Sequence, residues 1–229
     1  MSRRRRAVLL CAVAVLLLAA WSVGIEPRWV AQRHIDHAVP GWQGPPGLRV
    51  AVASDWHFTR RPLWRVMTVE RATRIVDEIN AARPDVILLP GDLIADRDWQ
   101  AGAGGSAEED IAAVLGRLRA PLGVFAVLGN HDWWHHGPRF AAALQRRGIR
   151  VLENEAAPLD AGLWVVGIGD HFTGHSRAAQ ALLKMPRRAQ ALVFMHDPAS
   201  LAELPPVQGL VVAGHTHGGQ VWLPGIGAP

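Results

Sequence analysis

An α/β domain built on a largely parallel sheet, behind a membrane-spanning N-terminal helix, is what this 229-residue sequence predicts. Three observations carry the expectation. Short apolar, β-branched-rich runs alternate with helical patterns, which implies parallel strands with covered faces. Polar clusters stand at the ends of those runs, where open α/β sheets bind ligands. A charge-free stretch of membrane-spanning length follows four arginines at the N-terminus.

Five strand segments end in polar residues. VAVASDWH closes on Asp55 and His57, DVILLPGD on Asp92, and GVFAVLGNHD on Asn130, His131 and Asp132. ALVFMHDP carries His196, and VVAGHTHGGQ carries His215 and His217 between glycines. None of the apolar runs contains a charge, so each reads as a strand buried on both faces. In extended chain, residues two apart point to the same side, so His215 and His217, like Asp55 and His57, are expected to face one place together. Helical spacing covers Thr68 to Ala82. It recurs from Ser106 to Arg119, opened by a Ser106/Glu109 capping box, and from Pro138 to Arg147, closed by Gly148.

At the N-terminus, residues 1–6 form a basic tip and residues 7–25 carry no charge, close to the roughly 20 apolar residues that span hydrocarbon. The arginines favour a cytoplasmic N-terminus, hence a single-pass inner-membrane anchor with the following domain outside the cytoplasm. A cleaved signal peptide, with Leu18-Ala19-Ala20 before the cut, and twin-arginine export are the alternatives. The Pro-rich residues 26–47 read as a linker, leaving residues 48–229 for the domain.

The formal charge of +4 comes from 24 basic and 20 acidic residues; Arg3 to Arg6 account for the excess, leaving 20 against 20. A nucleic-acid surface is therefore not expected. Cys11 is the sole cysteine, which excludes an intramolecular disulfide and a cysteine-based zinc site.

The convergent donors are Asp55, His57, Asp92, Asn130, His196, His215 and His217. Three oxygen donors and four imidazoles exceed one tetrahedral shell, and mixed N/O ligation suits Mn, Fe, Zn or Ni. Seven groups fit two divalent ions sharing a carboxylate, an arrangement that activates water and clamps a phosphoryl group. His131 is left over as a general acid or a transition-state charge, with Asp132 placed to hold its ring.

The ordered motifs SDWH, PGDLIAD, LGNHD, FMHDP and AGHTHGGQ, over roughly residues 48–224, resemble the calcineurin-like metallophosphoesterase superfamily. The resemblance implies Asp55, His57, Asp92 and His217 on one metal and Asp92, Asn130, His196 and His215 on the other. Asp92 then bridges and His131 is catalytic. It also implies a four-layer α/β/β/α sandwich whose second sheet uses segments such as Val151–Glu153 and Leu163–Gly167. Family members continue beyond GHTHGGQ with further strands, so the domain is expected to be short at its C-terminus.

With its N-terminal segment, GNHDWW and GHTHGGQ, the chain is similar to a bacterial membrane-associated branch related to UDP-diacylglucosamine hydrolases. Their nucleotide-lipid is cytoplasmic, whereas the arginine bias places this domain outside. The bias is given the greater weight, and a cell-envelope lipid or nucleotide-like phosphoester is the expected substrate class. The expected activity is phosphodiester or pyrophosphate hydrolysis. The alternative is a membrane-anchored, non-catalytic metal-binding protein or an inactive fragment with the same fold. Trp56, Trp99, Trp133 and Trp134 lie in strand-end loops, where ordinary packing is the expected role. His135 and His136 are expected to be solvated, as are Asp96 and Asp98.

Overall fold

The computed structural model describes residues 2–42, 44–59, 66–95, 107–160 and 162–219. Trp99, Asp96, Asp98, the Ser106 cap and the chain beyond Gly219 lie outside them. The chain divides into two compact units, residues 1–37 and 38–229. In the first, helix α1 (Arg3–Ala20) continues through a wider turn (Trp21–Ile25) and a 3-10 turn (Glu26–Arg28). It is exposed along its length, and by length and composition it can cross a membrane. Apolar residues surround it with no polar stripe, as a lipid-facing helix requires and an amphipathic core helix does not.

The second unit holds two four-stranded sheets. Strands β1 (Val50–Val52), β2 (Val86–Pro90), β3 (Val124–Val127) and β4 (Arg150–Val151) pair in that order, all parallel. The other sheet runs β5 (Glu155–Asp160), β6 (Leu163–Ile168), β7 (Gln190–Met195) and β8 (Gln208–Ala213). Its β5–β6 pair is antiparallel and the others are parallel.

Side-chain alternation along buried strands separates three cores. Ile87, Leu89, Val124 and Ala126 face helices α2 (Val69–Ala81), α3 (Ala107–Leu115) and α4 (Asn130–Arg146). Their neighbours Val86, Leu88, Phe125 and Val127 meet Leu163, Val165, Leu192 and Phe194 of the opposite sheet. The outward residues Val166, Ile168, Ala191, Val193 and Met195 pack on the short helix α5 (Ala178–Ala181). The result is a four-layer α/β/β/α sandwich.

The two sheets are those the resemblance implies; the strand pattern alone identifies strands without saying which sheet each joins. Val151 belongs to β4 of the first sheet, not to the second; Leu163–Gly167 does lie in the second. Strand β5 was not singled out because Pro158 argues against a strand, but an edge position tolerates it. Burial on both faces holds for β2, β3 and β7 and fails at the edges, where β1 and β8 are half-exposed.

Thr68 caps α2, accepting the Arg71 N–H through its side chain. Helix α4 begins at Asn130, eight positions before the expected start at Pro138, and breaks at His136 (φ −173°, ψ 76°). Pro138 restarts the helix there, since its ring cannot continue the hydrogen-bond ladder of the turn before it. The earlier start has a local signature, Gly129 followed at the third helical position by Asp132, whose carboxylate accepts the Gly129 N–H.

Candidate metal centre

The seven candidate donors and His131 come from both sheets and gather where strands β1, β2, β3, β7 and β8 end. Five of the seven, Asp55 (φ 56°), His57 (46°), Asp92 (51°), His215 (68°) and His217 (50°), have left-handed backbone. That conformation is unfavourable for residues with a Cβ and collects at functional sites. It also corrects the reason given for convergence. His215 and His217 lie beyond β8, so an extended i, i+2 relation does not aim them; two left-handed turns do. They serve different groups, His217 with Asp55 and His57, and His215 with Asp92 and His196.

The first group has His57 Nε2 3.1 Å from His217 Nε2, and His217 Nε2 3.2 Å from Asp55 Oδ1. In the second, His196 Nε2 lies 3.1 Å from Asn130 Oδ1, 3.1 Å from His215 Nδ1 and 3.3 Å from Asp92 Oδ2. The same Asp92 oxygen stands 3.6 Å from His57 Nε2, so it faces both groups. The other Asp92 oxygen accepts the His131 N–H at 2.9 Å, which fixes the rotation of the carboxylate.

These separations test whether cations fit. Ligand atoms at about 2.0–2.2 Å from one ion lie roughly 3.0–3.6 Å apart in tetrahedral or octahedral arrangement. The donor contacts from 3.1 to 3.6 Å fall on such edges. Tautomers point the same way. His196 Nδ1 donates to the Pro90 carbonyl at 2.8 Å, which leaves Nε2 as the nitrogen that faces an amide oxygen, a carboxylate and a second imidazole. Donors of this type at these separations fit divalent cations.

Burial and the two carboxylates set the electrostatics of these groups. Burial disfavours the His196 imidazolium, but the hydrogen bond and charge of Asp92 outweigh it and raise its pKa to about 9. Burial lowers His57 to about 4, against the pull of Asp92, which favours the neutral ring. Burial opposes ionisation of Asp55 and Asp92, yet hydrogen bonds from His217 and Ser54 in the first case, and from His196 in the second, hold both below the usual carboxylate value.

Two strand-end loops meet very closely here. A Cβ on Gly129 would lie 2.2 Å from Asp92 Oδ1, and one on Gly91 (φ 83°) would lie 2.5 Å from Gly129 N. Glycine at both positions is what lets Asp92 reach the centre.

His131 opens toward the same space, its ring edge-on to His57 at 4.9 Å. Its Nδ1 donates to the Ala95 carbonyl at 3.0 Å, so Nε2 is the nitrogen that faces the centre. Asp132 does not hold this ring. Fully buried, it accepts Leu93 N at 2.9 Å and Ile94 N at 3.0 Å through one oxygen, and Gly129 N at 2.9 Å through the other. It ties the loop after β2 to the start of α4, and its expected catalytic role is corrected to this structural one. Burial and the nearby Asp92 charge push its pKa up to about 7, against the Gly129 and Ile94 N–H groups.

Other expectations are also revised. His135 is not solvated; it sits 3.4 Å from the buried Glu108 carboxylate. Trp56 packs in the helix-side core and Trp133 stacks on His175 at 3.5 Å, while Trp134 lies against His131 with ring centroids 4.9 Å apart. Three participants were missed. The Pro90 and Ala95 carbonyls orient rings but carry no sequence signal, and Glu153 accepts Leu128 N at 2.6 Å from a distant strand end.

Comparison with known proteins adds the family. A family model described as calcineurin-like phosphoesterase matches residues 48–219. The chain is 28% identical to an uncharacterized metallophosphoesterase of Aquifex aeolicus, over 79% of this chain and 68% of that protein. Another from Bacillus subtilis is 26% identical over 80% of this chain, which spans 63% of its length. A UDP-2,3-diacylglucosamine pyrophosphatase of Chlamydia trachomatis is 24% identical over 92% of this chain and 76% of that enzyme.

Proposed function

This chain is a member of the calcineurin-like phosphoesterase family, a metal-dependent phosphoester hydrolase, and on that premise we propose that it cleaves a phosphodiester or diphosphate bond with two divalent cations. Its substrate in this reading is a lipid-linked or nucleotide-like phosphoester of the cell envelope. The observation that carries the dinuclear reading is the single Asp92 oxygen facing both donor groups, 3.6 Å from His57 and 3.3 Å from His196.

In this reading Asp55, His57, Asp92 and His217 hold one cation, and Asp92, Asn130, His196 and His215 the other. Bound there, the pair would supply Lewis-acid charge to phosphoryl oxygens and an activated water. His131, with Nδ1–H committed to the Ala95 carbonyl, presents Nε2 to the substrate. As the imidazolium, with a second proton on Nε2, it would donate a hydrogen bond to the phosphoryl group or that proton to the leaving oxygen. Its backbone N–H keeps the Asp92 carboxylate turned so that the other oxygen faces both donor groups.

The substrate class rests on two supports. The Chlamydia trachomatis relative is a pyrophosphatase of a diacylated nucleotide sugar, and the N-terminal helix would hold the domain at a bilayer. With Arg3 to Arg6 on the cytoplasmic side, the domain works outside the cytoplasm.

The test uses the full chain in detergent, with bound metal quantified and bis-p-nitrophenyl phosphate as substrate. Asp92→Ala should lose both metal and turnover. His131→Ala should keep its metal and lose roughly 10²–10⁴-fold in kcat. Turnover that survives Asp92→Ala with two metals still bound would falsify the assignment.

A further inference from the structure

The rings around the candidate metal centre form a nearly closed circuit. His217 and His57 are 4.9 Å apart, His57 and His131 4.9 Å, His131 and Trp134 4.9 Å. Trp134 then meets Phe172 at 5.7 Å, Phe172 meets His215 at 6.2 Å, and His215 meets His196 at 4.9 Å. Five of these seven rings are imidazoles with a ligand or proton-transfer role in the reading above. Trp134 and Phe172 have no such chemistry, yet they occupy one sector of the rim.

That sector has a defined shape. The two rings meet at 80°, an edge-to-face contact that aromatic pairs favour, so they form a corner. Trp134 is the half-buried wall and Phe172 the open one, 62% exposed. The turn that presents Phe172 is tightly closed. Asp170 accepts the Thr173 N–H at 2.8 Å and its hydroxyl at 2.6 Å, while the His175 N–H returns to the Asp170 carbonyl at 2.8 Å. A single exposed phenylalanine is ordinary on a protein surface. One held by a braced turn, beside a wall that touches His131, with His215 on its other side, lines the rim of the candidate metal centre.

We propose that the Trp134–Phe172 corner is the subsite for a planar aromatic substituent of the phosphoester, a nucleobase or an aryl group, which stacks on Phe172. The proposal rests on the dinuclear hydrolase reading and deepens it by naming what the substrate carries next to phosphorus. A flat ring gains most from such a corner, because it can lie on the open Phe172 face with its edge against Trp134. Stacking of this kind tolerates different bases, since every one has a π-face.

The test is calorimetric binding of phenylphosphonate, methylphosphonate and hexylphosphonate to the full chain in detergent, loaded with Mn²⁺. Phenylphosphonate should bind roughly tenfold more tightly than methylphosphonate, by the strength of one aromatic stack. Phe172→Ala and Phe172→Leu should both bring that ratio close to one without changing the affinity for methylphosphonate. A phenyl preference that persists in Phe172→Leu overturns stacking, and hexylphosphonate binding as tightly as phenylphosphonate points to an acyl chain instead. Equal phenyl and methyl affinities in the unaltered chain overturn the corner alone, provided that bis-p-nitrophenyl phosphate is still turned over. A chain that takes up no Mn²⁺, or binds none of the three, overturns the hydrolase reading with it.

Discussion

Replacing Asp132 separates a structural carboxylate from a catalytic one. Its two oxygens accept Leu93 N, Ile94 N and Gly129 N at 2.9, 3.0 and 2.9 Å, with no solvent exposure. A buried N–H left without a partner costs about 1–3 kcal/mol. Asp132→Ala strands all three, a loss of roughly 3–9 kcal/mol against a typical domain stability of about 5–15 kcal/mol. That variant can fail to fold, so Asp132→Asn is the sharper probe. Asparagine keeps one acceptor for Leu93 and Ile94 but turns an amide toward the Gly129 N–H, which predicts a loss of about 1–3 kcal/mol. The assay is urea unfolding of the full chain in nonionic detergent, read by tryptophan fluorescence, with kcat measured on the folded variant. The midpoint should fall at unchanged m-value, and kcat should fall far less than in His131→Ala. An unchanged midpoint with kcat as low as that of His131→Ala would refute the reasoning, because Asp132 would then be acting on the histidine ring.

Two further outcomes follow from buried groups. Burial pushes the Glu153 carboxyl from 4.5 up to about 8, so the folded chain holds its proton more tightly than the unfolded chain does. The stability this contributes is complete below pH 4.5 and is lost as pH rises through about 8. Glu153→Gln keeps an acceptor for Leu128 N, so its unfolding free energy should vary less across that window; an unchanged pH slope would contradict the assignment. For Gly129→Ala, the new methyl lies 2.2 Å from Asp92 Oδ1 and 2.5 Å from Asp92 N, and the aspartate has to move. Overpacking of about 1–3 kcal/mol and a weaker hold on metal are expected. Competition with a fluorescent chelator measures the latter, and unaltered metal affinity would count against Asp92 as the shared ligand.

Much of the candidate site was legible because its residues stand at the ends of apolar runs. Asp55, His57, Asp92, Asn130, His196, His215 and His217 were identified by strand-end position and donor type alone, and the structure brings all seven together with His131. Strand existence was equally legible, since the uninterrupted runs of β2, β3 and β7 leave few alternatives. Helix α4 was placed late because Pro138 is a louder start signal than Gly129 with Asp132, although both are present. Strand β5 was invisible because Pro158 hides an edge strand.

The sequence by itself therefore determined the family, the apolar N-terminal helix and the candidate donors, because each depends on residue types at local spacing. The tertiary structure supplied the geometry of a division that the resemblance only implied. His215 and His217, two residues apart, part into separate groups through left-handed turns that no periodicity predicts. Asp132 turned from an expected partner of His131 into a clasp between loops because Leu93, Ile94 and Gly129 N–H groups surround it. Phe172 joined the rim because the second sheet carries its turn to His215 and Trp134. Contacts between residues far apart in the chain depend on packing, and packing is where local pattern ends.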